Sequence, residues 1–217
     1  MSSNRAKVLT PLALGFATTV LTAIGLAGLG DAPNPREPAT EISRYFAERR
    51  DEELLAAPFA YLGAIALVVF AITIAARLRR EGESGAATSV TVGGWLCAVY
   101  FTGLHVVLTT LVYEPTATSA DTTKTLFVAT ILAAPLLGTG VAALLGGFAW
   151  GDRSARVAPR WLMVASAVGA VAGLLALVSF AERGFWSPDV QQQISGNVIL
   201  LWPLITGAGL AWRARSS

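Results

Sequence analysis

Cysteine, histidine, charge and long polar segments are all scarce in this 217-residue chain. A single cysteine, Cys97, rules out an internal disulfide and a CxxC redox pair, and its place within an apolar run gives it the role of a small hydrophobe. A single histidine, His105, leaves a bis-histidine haem or a multi-ligand zinc site short of donors. No phosphate-cradling GxxxxGK[ST], HExxH or GxSxG motif occurs, and no paired acids or Ser/His/Asp set falls at one membrane depth. The chain therefore reads as a non-enzyme without a cofactor. Although the pI is near 9.0, the net charge is only +2 and no basic run is interleaved with aromatics, which excludes nucleic acid as a partner.

What fills the chain instead is apolar. Hydrophobic residues make up 54%, charged residues 14%, and the mean hydropathy is +0.59. A soluble domain carries charge on about a quarter of its residues. Charge-free windows long enough to cross a bilayer lie at 8–30, 58–76, 89–112, 126–150, 161–181 and 196–212. The expected fold is all-α: a single integral membrane bundle of six transmembrane helices with a short outer amphipathic helix in the loop 31–57. Arg5 and Lys7 before the first window also suit a signal peptide, but the window is longer than a signal h-region and reads better as a retained anchor. Ser187-Pro188-Asp189 has the pattern of N-cap, first-position proline and first-turn acid, so the last helix should begin near Pro188.

Orientation follows from Lys and Arg in the short loops. With the N-terminus inside, the cytoplasmic segments hold ten basic residues against three acids, and the outer segments hold six against eleven. Both termini are thus expected in the cytoplasm. Trp150, Trp161 and Trp212 fall at the inner interface, and Tyr61, Tyr113 and Trp186 at the outer one.

The outer loop supplies the first candidate site residues. Thr40 is placed to cap a helix running to about Glu53, with Ile42, Tyr45 and Phe46 on one arc and Glu41, Arg44, Glu48 and Asp51 on the other. Arg44–Glu48 and Arg49–Glu53 are spaced to pair at i,i+4. Tyr45, Phe46 and Arg49 are the interaction candidates here, on a helix that lies on the outer leaflet, caps the bundle or receives a partner.

The second candidate is His105, near the middle of the third span. At helical spacing Ala98, Thr102, His105 and Thr109 share a face, a polar stripe expected to point into the bundle, and an ionisable group at that depth is a functional candidate. With no Asp, Glu, Lys or Arg inside any window, the imidazole is expected to be neutral and hydrogen-bonded to Thr130, Ser179 or Asn197. Pro135 and Pro203 should kink the fourth and sixth spans. Pro11-Leu12, Pro135-Leu136 and Pro203-Leu204 are each followed closely by Gly, hinting at a relation between the first and fourth spans, and Ala142/Gly146 and Gly169/Gly173 are small-xxx-small pairs.

The run Glu41-Ile42-Ser43-Arg44-Tyr45-Phe46-Ala47-Glu48-Arg49-Arg50, then Leu54-Leu55-Ala56-Ala57, an apolar span and the basic exit Arg77-Leu78-Arg79-Arg80, resembles an uncharacterised multi-pass inner-membrane protein family of high-GC Gram-positive bacteria. The resemblance covers residues 30–80. It implies a location in the bacterial plasma (inner) membrane and supplies no activity. The sequence favours a non-catalytic sensing, scaffolding or accessory component, whose partners are the lipid bilayer and a second membrane protein. The alternatives are a small transporter or carrier of an apolar or weakly polar solute, favoured by a cavity reaching His105, and a cofactor-bearing subunit built on His105.

Overall fold

Long charge-free runs of Ala, Leu, Val and Gly can satisfy their backbone N–H and C=O groups away from water only by closing into helices. The computed structural model, which describes residues 2–28, 30, 32–113, 118–178 and 187–216, consists of helices and their connections, with no strand among the described residues. The elements are α1 (Ser2–Ala27), α2 (Ala39–Glu48), α3 (Arg50–Arg80), α4 (Ser84–Tyr113), α5 (Ala120–Leu132), α6 (Ala134–Ala155), α7 (Arg160–Ala176) and α8 (Pro188–Ser216). Among the described residues, five segments are long and apolar enough to cross a membrane: α1, α3, α4, α5 with α6, and α8. The helix within the fifth window, α7, has 17 residues, about 25 Å at 1.5 Å per residue, which is short of a hydrocarbon core of about 30 Å.

Outward-facing apolar stripes identify the solvent these helices suit. Leu62, Ile65, Val69 and Ile72 on α3 and Val164, Val168, Val171 and Leu174 on α7 recur at helical spacing and are all exposed. A continuous apolar surface of that extent is stable against lipid and not against water. Inside, α3 packs between α1 and α4, α6 between α4 and α7, and α8 closes the bundle against α1, α6 and α7. Phe70, Phe148 and Trp202 meet edge to face at 5.6–5.7 Å in the core, and the Trp202 indole donates to Ser166 Oγ at 2.9 Å.

Two of the segments, Pro11-Leu12-x-x-Gly15 and Pro203-Leu204-x-x-Gly207, meet in the structure. The backbone at Gly15 of α1 lies against the Pro203 carbonyl of α8, and Gly207 of α8 lies against the Pro11 carbonyl of α1, so that a side chain at either glycine would overlap backbone. The two motifs interlock reciprocally and bring α1 and α8 into close van der Waals contact. Beside them the Thr19 hydroxyl donates to Leu200 O at 2.7 Å. Gly138 and Gly173 approach each other's carbonyls in the same way between α6 and α7.

Several expected boundaries shift. The segment 40–53 is two helices rather than one, broken at Arg49; α2 begins at Ala39 behind Pro38, so Thr40 is not its cap. The second span begins at Arg50 rather than near 58 and continues through Pro58. The fourth is interrupted at Ala133, two residues before Pro135, which lacks a helical N–H. By contrast α8 runs unbroken through Pro203 and starts at Pro188, as the capping pattern indicated. Cys97 is buried against Gly140.

Candidate functional site

His105 does not sit alone. It is fully buried, and its Nδ1 lies 3.1 Å from Oε1 of Glu53, itself 2% exposed. The partner is therefore an acid from the first turn of α3, not Thr130 or Asn197, and Ser179 lies outside the described residues. This corrects the expectation that the spans hold no buried charge. Because α3 starts eight residues before position 58, Glu53 falls on the face turned toward α4, while its neighbour Glu52 faces out and takes Arg49 in an ion pair at 2.9 Å. The expected Arg49–Glu53 pair is thus replaced; Arg44 does reach Glu48, at 3.8 Å, and pairs more closely with Glu41.

Around the pair, the Tyr61 ring meets the imidazole edge to face at 6.4 Å, and Glu53 Oε2, His105 Nε2 and Thr109 Oγ1 are buried without a hydrogen-bond partner. Thr109 belongs to the inward stripe with Ala98, whereas Thr102 is turned outward and exposed, because α4 is rotated so that Phe101 and Leu104 face inward instead. One proton shared between Glu53 and His105 would make the pair net neutral, the arrangement in which burying both at this depth costs least.

On the outer-loop helix, Ile42 and Phe46 are buried and Tyr45 is half-buried. Phe46 meets Phe127 of α5 edge to face at 5.5 Å, so α2 caps the bundle. Arg49 stacks on the Tyr45 ring, 5.4 Å from its centroid, and covers Gly30, whose φ of +50° lies in the left-handed region. Lys124 Nζ donates to Glu37 O at 2.8 Å, tying the loop to α5.

Under this braced loop lies a partly open cavity of about 590 Å³ lined by α1, α4, α5, α6 and α8, within the usual range of small-molecule sites. One wall is apolar, formed chiefly by Phe101, Leu104 and Leu108 of α4 and Phe127 and Ile131 of α5. The other is the N-terminal end of α8, where Asp189, Gln192, Gln193, Gly196 and Asn197 recur at helical spacing and line one face. The Tyr100 hydroxyl donates to Thr130 O at 3.3 Å and has Gln192 within hydrogen-bond reach, joining the two walls.

None of His105, Thr102, Thr109, Tyr45, Phe46 and Arg49 lines this cavity. The polar face of α8 carried a readable signal, the i, i+3, i+4, i+7, i+8 spacing from Asp189 to Asn197. The charge-free window starts only at 196 and so excludes most of that face. Among the described residues, no three His, Cys, Asp or Glu side chains gather as a metal site would require. Comparison with family models, with curated proteins and with solved structures gave no match.

Proposed function

We propose that this protein is a non-catalytic component of the bacterial inner membrane that crosses the bilayer six times with both termini in the cytoplasm. Its role is to bind a small, weakly polar amphipathic molecule in the cavity beneath the outer loop and act as a sensing or accessory subunit. The observation that carries this reading is the two-faced lining. An apolar wall of Phe101, Leu104 and Leu108 suits a hydrocarbon body, while Gln192, Gln193 and Asn197 opposite it offer amide donors and acceptors to a polar end. Toward the other end of the bundle, the packed rings of Phe70, Phe148 and Trp202 fill the interior, and none of them lines the cavity. A ligand is therefore held rather than passed through. The charge asymmetry of the loops and the lipid-facing stripe of α7 support the sixth crossing and the orientation.

Gly196 gives a clean test, since a side chain added there meets nothing within 4 Å. Gly196→Leu should occupy the cavity without disturbing the backbone. Native mass spectrometry of protein purified from its own membrane should show a bound small molecule in the wild type and its loss in the variant. Equal occupancy in both would sink the reading. The interruption at Ala133, between the cavity-lining Ile131 and Leu137, favours the second reading, a carrier in which the fourth span hinges; net uptake of the co-purified molecule into proteoliposomes would decide for it.

A further inference from the structure

The end of the bundle opposite the cavity carries two recesses of about 260 Å³ each that share one wall, Arg213 of α8. The first is lined by Arg77 and Arg80 from the end of α3, with Val157 and Leu210 as its apolar surface. The second is lined by Arg153, Arg156 and Arg160 from the α6–α7 turn, with Met163. Six guanidinium groups from three separate stretches of chain thus surround two adjoining hollows that contain two carboxylates, Glu81 and Asp152.

The turn that presents three of these arginines is braced by hydrogen bonds to Asp152. Arg156 adopts φ +51°, ψ 39°, a left-handed conformation that residues bearing a side chain rarely take up. It is held there because Asp152 O accepts the Arg156 N–H at 2.9 Å and Asp152 Oδ1 accepts the Ala158 N–H at 2.8 Å. Asp152 thereby braces the backbone, and its carboxylate also attracts Arg213. Arg213 Nη1 reaches Ala158 O at 3.4 Å, fastening α8 to the same turn.

A second observation fixes the depth. Trp150, Trp161 and Trp212 are all more than half exposed and sit three, one and one residues from Arg153, Arg160 and Arg213. Exposed indoles at a helix end mark the headgroup layer of a bilayer. Paired guanidinium forks at that level match phosphodiester oxygens bidentately, and the apolar strips of Val157, Leu210 and Met163 suit the glycerol and first acyl carbons behind them.

We infer that this end binds the headgroup of an anionic phospholipid carrying two phosphates, a cardiolipin-type lipid, with one phosphate in each recess and Arg213 between them. The test is thermal unfolding of the full chain in a neutral detergent. Titration with tetraoleoyl cardiolipin should raise Tm by several degrees, dioleoyl phosphatidylglycerol at equal phosphate should do less, and dioleoyl phosphatidylcholine and sodium pyrophosphate should do nothing. Arg213→Gln should abolish the cardiolipin shift. The double variant Arg80→Gln/Arg160→Gln, which removes one exposed arginine from each recess, should weaken it at least several-fold even if Arg213→Gln folds poorly. Arg44→Gln, at the far end, should keep it. A full shift with phosphatidylcholine, a full shift with pyrophosphate alone, or an undiminished shift in the double variant would overturn the assignment.

Discussion

Glu53 reaches from the first turn of α3 to place Oε1 3.1 Å from Nδ1 of His105 on α4, and both side chains are cut off from solvent. Breaking such a pair by removing one member strands a buried polar group, which costs about 3–5 kcal/mol when the group is charged and about 1 kcal/mol for one membrane hydrogen bond. His105→Leu is therefore expected to destabilise the bundle more than Glu53→Gln, which keeps an acceptor for the ring. The double variant Glu53→Leu/His105→Leu should recover part of the loss. Unfolding in detergent of the wild type, Glu53→Leu, His105→Leu and the double variant gives the coupling; strictly additive losses would mean the two groups are not a unit.

The interlock of α1 and α8 has a sharper expectation. Gly15→Ala and Gly207→Ala each drive a methyl group into a backbone carbonyl, at Pro203 and Pro11 respectively. Each should lower stability by about 1–3 kcal/mol, as overpacking does. Gly103→Ala, where a side chain meets nothing within 4 Å, should leave stability unchanged or raise it by up to about 1 kcal/mol through helix propensity. Thermal unfolding of the three variants distinguishes the sites, and an equal response at Gly15 and Gly103 would contradict the close approach.

Accessibility along the α2–α3 junction should follow the faces now visible. In a Cys97→Ser background, single cysteines at Glu41, Arg44, Glu48 and Glu52 should react with a membrane-impermeant maleimide. Those at Ile42, Phe46 and Glu53 should be protected. Reaction at Glu53 as fast as at Glu52 would show that the acid faces water rather than His105.

For the six-crossing topology proposed above, reporter fusions after Arg80 and Arg156 should read cytoplasmic and one after Thr118 external. A fusion after Arg156 that reads external would remove the arginine end from the cytoplasmic leaflet.

Hydropathy and capping residues alone determined that the chain is an all-helical bundle for a bilayer, where the long apolar helices run, that α8 starts at Pro188, and which loops concentrate arginine. These are properties summed along one helix, so they need no knowledge of its neighbours. The rotation of each helix about its axis is different, because it is settled by what packs against it. Thr102 and Thr109 lie on one predicted stripe, yet rotation of α4 turns the first outward and keeps the second with His105. Glu53 belongs by sequence to a charged outer loop, and only the early start of α3 carries it inside. The polar face from Asp189 to Asn197 becomes a cavity wall only because α4 and α5 stand opposite it, and Arg77, Arg156 and Arg213 share one end only because α3, α6 and α8 finish there. Long-range juxtaposition of helices is decided by close packing of small residues such as Gly15 against Pro203, whose contact spans nearly the whole chain and leaves no periodic trace in it.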